Sequence, residues 1–254
     1  MTWNSFFNLP NDCLLSLPIT KKSLMEQPDI IASEVRLLQG TDVQNISIIG
    51  KVSQQMGNVS PYVDDEVAYH EILFIKAKLQ DDAYDRVAEK LSHMLHKLIP
   101  HHCVIILQSS DANKNSLSLA TKRIARNNAN LRVIEQLYYS GLITDKQTDF
   151  LRSLSFDNSN KINQKEYYNY LASCFDALQL AEITNKFALR PIEVTKQMLQ
   201  LQQSILAKEE EIEKCIKQLT RDTQMAERVR INTEINRLKN NVVQIKEELE
   251  ALNR

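Results

Sequence analysis

The chain has 254 residues, of which 43% are apolar and 25% are charged, and its formal net charge is −1. This length can hold one sizeable domain with an appendage, or two small domains. The near-neutral charge disfavours a dedicated nucleic-acid binder, which usually carries a basic excess, and no apolar run approaches the roughly 20 residues that span a bilayer.

Residues 1–154 are predicted to form an α/β domain. A β-branched run inside residues 43–52 suits a strand. Residues 69–79 read as a second strand, and residues 82–98 follow as an amphipathic helix for which Asp81 is the expected cap.

The second half of this domain is rich in strand patterns. The continuous apolar run at residues 103–107 is typical of a strand buried on both faces. Residues 116–124 and 131–139 are further strand candidates, and the Asn-rich segment 126–130 favours a hairpin turn between them. These segments predict a mixed sheet of four or five strands with helices on at least one face.

Residues 155–190 are predicted to be a polar linker and a connecting helix, and residues 191–254 carry two heptad-patterned stretches. Lys208 and Cys215 stand at seam positions of the first stretch, where Lys208 is expected to snorkel or to set the register. The apolar seam residues, which we predict to form an interface, are Met198, Leu201, Ile205, Ile212, Leu219, Ile231, Ile235, Leu238, Val242, Ile245, Leu249 and Leu252.

The two seams do not share a register. Alternating steps of three and four residues, counted on from Leu219, do not reach Ile231. The phase of the heptad pattern therefore changes within residues 220–230. Either one helix changes its contact face there, or the chain turns and the two arms pack against each other. The expected fold is therefore α+β, with an N-terminal mixed sheet followed by a C-terminal helical hairpin or coiled coil.

Four of the five histidines lie close together. His93, His96, His101 and His102 fall within ten residues, beside Cys103. A helical i,i+3 pair could present two imidazoles to a metal ion, but no carboxylate is spaced to complete a site. We expect solvated helix histidines with a pair at a strand edge, and neither a metal site nor a cofactor.

The acidic pair Asp64 and Asp65, with Glu71 and Lys76, has the components of a metal-dependent nuclease, in which carboxylates and a lysine converge on a divalent ion. Glu71 and Lys76 stand five positions apart on a strand and would point to opposite faces. A solvated loop before an ordinary strand is favoured, and no catalytic residue is assigned.

Lys122, Arg123 and Arg126 form the basic cluster of the α/β region. Such a patch could contact a phosphate backbone or an acidic protein surface. No aromatic residue is interleaved to stack bases, so a charged sheet edge that prevents edge-to-edge pairing is the favoured interpretation.

The positions of the cysteines and glycines bear on the cellular compartment and on the classes of enzyme that can be expected. The four cysteines are far apart and form no CxxC motif, so reduced thiols in a cytoplasmic protein are expected. The four glycines form neither GxGxxG nor GxxxxGK[ST]. A nucleotide-driven motor or a dehydrogenase is therefore not expected.

Several short segments together have a familiar pattern: LPITKK at residues 17–22, EILF at 71–74, LIPHH at 98–102, TKR at 121–123 and, most specifically, RDTQM at 221–225 with residues 228–232. With these segments the chain resembles the bacterial family called domain of unknown function 4391 over nearly its whole length. Residues 57–69, an insertion, and Met225, where the family tends to have an aromatic residue, depart from the family pattern.

The resemblance implies no catalytic residues. It implies that the protein occurs together with helicases and DNA methyltransferases in restriction-like or phage-defence gene clusters. We therefore expect a non-enzymatic accessory protein whose coiled coil docks onto such a larger partner, or onto a second copy, and which meets DNA through that partner. The alternatives are a metal-dependent nuclease or a DNA-binding protein that acts through the α/β domain.

Overall fold

The computed structural model describes residues 3–126, 128–219 and 224–253. Its contacts divide the chain into two compact units, Met1–Phe175 and Asp176–Arg254. A mixed β-sheet with helices lies in the first unit, and a helical hairpin lies in the second. The expected α+β fold is confirmed.

The strands of the first unit are β1 (Leu14–Ile19), β2 (Val43–Val52), β3 (Tyr62–Val63), β4 (Ala68–Tyr69), β5 (Ile72–Leu79), β6 (His102–Ser109), β7 (Asn115–Ala125) and β8 (Asn128–Tyr139). Within the described residues, six of them form one sheet in the order β1-β2-β5-β6-β7-β8, and β3 pairs with β4 in a short separate hairpin. Neighbours in the large sheet are antiparallel except β5 and β6, which are parallel.

The helices are α1 (Asn4–Phe7), α2 (Lys21–Met25), α3 (Ala32–Gln39), α4 (Tyr84–Leu98), α5 (Thr148–Ser153), α6 (Gln164–Thr184), α7 (Ile192–Gln218) and α8 (Met225–Leu252). The helix α4 connects β5 to β6, which is the crossover that a parallel pair requires. This βαβ passage confirms the predicted strand–helix–strand order.

Some element boundaries differ from the predicted ones. The strand β1 was missed, because Pro18 interrupts its pattern; a proline is tolerated there since β1 is an edge strand. Asp81 does not cap α4, whose N-cap residue is Ala83. Its carboxylate instead accepts hydrogen bonds from the Ser110 hydroxyl and the Asp111 N–H, at 2.8 and 2.9 Å.

A hairpin joins β7 to β8 as predicted, but β8 begins three residues earlier than expected, inside the segment 126–130 that was assigned to the turn. Arg126 adopts a turn conformation and β8 begins at Asn128, while Asn127 lies outside the described residues. The antiparallel register between β7 and β8 shifts once on each side of residues 122–124. The two strands therefore form the long hairpin that their sequence pattern indicates.

Helices cover both faces of the sheet. On one face the apolar stripe of α4 packs against alternate residues of β5 and β6, including Ile75 and Ile105. On the other face the Phe7 ring of α1 meets Phe74 with a centroid distance of 5.0 Å, and Tyr168 of α6 donates its hydroxyl proton to a sheet carbonyl. The core of the first unit therefore has two layers, one on each side of the strands.

Candidate functional site

The two heptad stretches pack against each other as an antiparallel hairpin. The Arg190 guanidinium, just before α7, donates to the Asn253 side-chain oxygen, just after α8, so the start of one helix lies beside the end of the other. This geometry selects the second of the two sequence alternatives, a chain that turns. Residues 220–223, between the two helices in the sequence, lie outside the described residues, as does most of the RDTQM motif.

The predicted seam residues fill the space between the two helices and the end of α6. Met198 and Ile205 of α7 form one hydrophobic cluster with Val242 and Leu249 of α8 and with Leu180 of α6. The contacts seen are thus intramolecular, and a contact of these residues with another molecule stays a prediction. The buried seam residues are Met198, Ile205, Ile231, Ile235, Leu238, Val242 and Leu249, and the half-buried ones are Leu201, Ile212, Leu219, Ile245 and Leu252.

The hairpin also presents apolar side chains to solvent. Of the described large apolar residues, Met225 is the most exposed, at 76%. Because exposed apolar side chains that lie together can mark an interaction site, these residues are candidate contacts for another molecule. More than half of the surface is exposed for Ile192, Leu206, Ile216, Met225, Val229 and Val243.

The basic cluster of the α/β domain is not a surface patch as a whole. Lys122 is 1% exposed, and its ammonium donates to the backbone carbonyls of Ile99 and His101 at 2.6 and 2.7 Å. Its assignment as a possible nucleic-acid contact is therefore wrong in this structure, because β7 turns this side chain into the protein. Arg123 is half-buried and Arg126 is exposed.

Arg123 and Arg126 line a cavity at the end of the β7–β8 hairpin. Acidic residues also line it, namely Asp65, Glu66 and Glu135, and the Glu135 carboxylate lies 3.7 Å from the Arg123 guanidinium. A hydrogen bond of 2.7 Å from the Ile124 N–H to the Glu66 carbonyl holds the loop of Glu66 against β7. The cavity therefore brings one predicted carboxylate beside two predicted cations, and its charge is mixed.

Two of the clustered histidines are buried, which corrects the expectation of solvated side chains. His96 is 1% exposed, and its ring nitrogens contact the Ser118 hydroxyl at 3.1 Å and the Cys103 thiol at 3.4 Å. Burial and the nearby Lys122 ammonium hold the pKa of His96 well below its ordinary value. The neutral imidazole is thus a core hydrogen-bonding group.

His102 of β6 is a stacked core residue. Its ring lies 3.7 Å from the Tyr69 ring, centroid to centroid, at an interplanar angle of 15°. Burial lowers the pKa of His102 to about 3, so the imidazole is neutral at physiological pH. The two histidines predicted at a strand edge therefore differ in burial, because His102 is buried and His101 is exposed.

The carboxylate of Asp64 organises its own turn. It accepts backbone N–H groups of Glu66 and Val67 at 2.9 and 2.7 Å, and these bonds lower the pKa of Asp64. The Lys165 ammonium lies 3.6 Å away. Asp64 therefore has a complete set of local partners.

Glu71 has a different environment. Its carboxylate lies 3.3 Å from the Lys51 ammonium and 3.7 Å from the His101 ring. Lys76 is half-buried within β5, and burial lowers the pKa of its ammonium. Across the part of the chain that the structure describes, no group of three or more His, Cys, Asp or Glu side chains is arranged to hold a metal ion.

The second apolar side of the hairpin was missed in the sequence. Its signal is a second seven-residue repeat, in which Leu206 follows Ile192 by two heptads and Val243 follows Val229 by two heptads. The pattern is overlooked when only the seam positions are followed, because each of its residues comes directly after a seam position in the sequence.

Fold and site together define a protein with an α/β domain and an appended helical hairpin. The chain belongs to the family described as Domain of unknown function (DUF4391), whose model matches residues 7–242. Neither the curated proteins nor the solved structures include a significant match to the chain. Among the described residues, no helix combines the length and the apolar character needed to cross a membrane.

Proposed function

We propose that this protein is a non-enzymatic accessory subunit whose helical hairpin docks onto a larger partner. The observation that carries the proposal is the exposed Met225 at the tip of the hairpin, in a helix pair whose seam is already filled. An unbranched, polarisable methionine side chain adapts to the surface that it meets, and such residues are frequent at docking surfaces.

The partner class follows from the family resemblance. A helicase or a DNA methyltransferase of a restriction-like or phage-defence system is the proposed partner, and the hairpin would carry the α/β domain to it. An α-helix of 28 residues extends about 42 Å at about 1.5 Å per residue. This length is sufficient to reach across a subunit boundary.

A cytoplasmic location is part of the proposal. All four cysteines are free, and three of them, Cys13, Cys103 and Cys174, are buried. Free buried thiols suit a reducing compartment.

Affinity purification of the full-length protein from its host, with mass spectrometry, tests the docking role. We expect a helicase or methyltransferase subunit to copurify with the wild-type protein. Met225→Glu should remove it, because a charge at the tip is not matched by an apolar pocket. Ala226→Glu, an exposed change at the next residue of α8, is the matched control and should retain the partner. Equal capture by both variants would exclude the tip as the docking element.

DNA binding by the α/β domain is a second candidate, favoured by the exposed Arg126 beside the half-buried Arg123. The carboxylates of Asp65, Glu66 and Glu135 on the same cavity oppose it. A partner-mediated contact with DNA is therefore the preferred proposal.

A further inference from the structure

A pocket with a surplus of positive charge lies between α3 and α4 of the α/β domain. Its volume is about 530 Å³, which falls within the range of about 300–1,000 Å³ that is usual for small-molecule sites. The pocket brings together residues that are distant in the sequence. Its ionisable lining residues are Glu34 and Arg36 of α3, Asp42 of the following loop, and Arg86, Lys90 and His93 of α4.

Two ion pairs join the walls of this pocket, one towards each end of α4. The Lys97 ammonium donates to both oxygens of Glu34 at 2.7 Å, and the Arg86 guanidinium donates to the Asp42 carboxylate at 3.1 Å. Because Glu34 meets the end of α4 and Asp42 meets its start, the segment 34–42 runs opposite to α4. Both carboxylates of the pocket therefore already have a cation.

Three side chains between these two ion pairs have no counter-ion. In the part of the chain that the structure describes, the side chains of Arg36, Lys90 and His93 form neither a hydrogen bond nor an ion pair, and all three are exposed. Lys90 and His93 are i,i+3 neighbours on α4, and Arg36 belongs to the segment between Glu34 and Asp42. The middle of the pocket thus carries two uncompensated positive charges beside an imidazole.

Apolar side chains also line the pocket. Ile31, the N-cap residue of α3, is 56% exposed, and the half-buried Leu37 and the buried Val87 line the same cavity. Small-molecule sites characteristically combine an apolar lining with a few polar groups that fix the orientation of the ligand. The pocket therefore offers contacts both to an anionic group and to an apolar body.

We propose that this pocket binds a small phosphorylated molecule, whose phosphate contacts Arg36 and Lys90 and whose organic part contacts Ile31. A guanidinium forms paired hydrogen bonds with two phosphate oxygens, and an ammonium supplies a compact positive charge. A doubly charged phosphomonoester balances the two free cations, whereas a carboxylate balances only one. This inference goes beyond the proposed docking function, since it concerns the α/β domain and requires no other protein.

The surroundings of the pocket favour a small ligand over a nucleic acid. A nucleic-acid backbone is a row of phosphates, and its affinity rests on neutralising several of them. Here the free cations stand between Glu34 and Asp42, and Glu89 is exposed next to Lys90 in α4. A single phosphate fits between these carboxylates, whereas a longer polyanion would meet them.

Isothermal titration calorimetry of the full-length protein tests the inference, with phenyl phosphate and inorganic phosphate as probes. We expect phenyl phosphate to bind with a Kd of about 0.1–1 mM, and inorganic phosphate about tenfold more weakly because it lacks the apolar body. Arg36→Ala and Lys90→Ala should each weaken phenyl phosphate about tenfold, since each removes a charge-assisted contact. Lys146→Ala removes an exposed cation outside the pocket, and this matched control should keep the wild-type Kd. Circular dichroism verifies that the fold is unchanged.

Ile31→Ser separates the two parts of the contact. Serine suits the N-cap position of α3, so phenyl phosphate should bind about threefold more weakly while the affinity for inorganic phosphate stays the same. The proposal is overturned by an absence of phenyl phosphate binding at millimolar concentrations, or by equal losses in Lys90→Ala and Lys146→Ala. It is also overturned if an oligonucleotide with a terminal phosphate binds more tightly than phenyl phosphate and loses this affinity in Lys90→Ala. These measurements use the isolated chain, so their outcome is independent of whether Met225 captures a partner.

Discussion

Buried ionisable groups give single residues of this protein unusual properties. Asp176 of α6 has a side-chain oxygen that is buried without a hydrogen-bond partner. Burial raises the pKa of this carboxyl group from 3.8 to about 6. The charged form is therefore disfavoured in the folded protein, and the folded state binds the proton more tightly than the unfolded state does.

The pH dependence of Asp176 has a definite sign. Its favourable contribution to stability is complete below the unfolded pKa near 4 and is lost as the pH rises through the folded pKa of about 6. We expect Asp176→Asn to raise the free energy of unfolding by about 1 kcal/mol at pH 7.5, allowing for partial solvent screening. The gain should shrink towards pH 4. Denaturant titrations across this range measure it.

Glu182→Gln is the matched control on the same helix, because Glu182 is exposed. It should alter neither the stability nor its pH profile. A gain from Asp176→Asn that is the same at both ends of the pH range would contradict the assigned cause.

Lys122 shows how a basic residue can belong to the core. Its ammonium is the hydrogen-bond donor for the carbonyls of Ile99 and His101. We expect Lys122→Ala to lower the free energy of unfolding by about 3 kcal/mol, since two carbonyls lose their donor and a cavity is left. Lys90→Ala, at an exposed position of α4, should change it by less than about 0.5 kcal/mol.

Thermal and urea unfolding monitored by circular dichroism would measure both variants. Equal stability of the two would show that Lys122 is not held in the core. A Lys122 variant is consequently unsuitable as a probe of DNA contact, because any loss of binding would reflect unfolding.

At the scale of elements, the hairpin separates residues of similar chemistry by their position on one helix. Ile205 is 4% exposed in the seam, whereas its neighbour Leu206 is 52% exposed on the outer surface of the hairpin. Adjacent residues of similar size thus have different environments. The seam holds the two helices together, and Leu206 faces solvent.

A pair of alanine substitutions separates these roles. Ile205→Ala should lower the free energy of unfolding by about 2–4 kcal/mol, because it removes buried methyl groups and leaves a cavity. Leu206→Ala should cost less than about 1 kcal/mol when measured in dilute protein. Urea denaturation followed by helical circular dichroism provides the comparison, and similar losses for both would argue against the observed seam.

At the scale of the whole molecule, charge bears on the DNA-binding candidate. The net charge is −1, and the cavity beside Arg126 mixes cations with carboxylates. Neutralising phosphates releases counterions, so a genuine DNA complex weakens steeply as salt rises. We expect no salt-dependent binding of duplex DNA by the isolated protein in fluorescence anisotropy. Tight binding that falls with salt and is lost in Arg126→Ala would instead establish the DNA-binding alternative.

The sequence by itself determined the elements whose patterns are local. The helix α4, the apolar strand β6 and both heptad seams were predictable, because a period of 3.6 or 3.5 residues, or an unbroken apolar run, records burial within one segment. Ile231 and Leu238 could be assigned to a seam without knowledge of the partner helix. The seam residues could therefore be identified from the local sequence alone.

Only the tertiary structure decided which polar residues are buried. It alone also decided that the seam of α7 packs against the seam of α8 in the same chain. Lys122 looks like a surface cation in sequence, and it becomes a core donor because the carbonyls of Ile99 and His101, more than twenty residues away, are brought to it. His96 of α4 is buried because the sheet packs against its helix and brings Ser118 of β7 and Cys103 of β6 to its ring nitrogens. Burial depends on contacts between distant segments, and a local pattern carries no record of them.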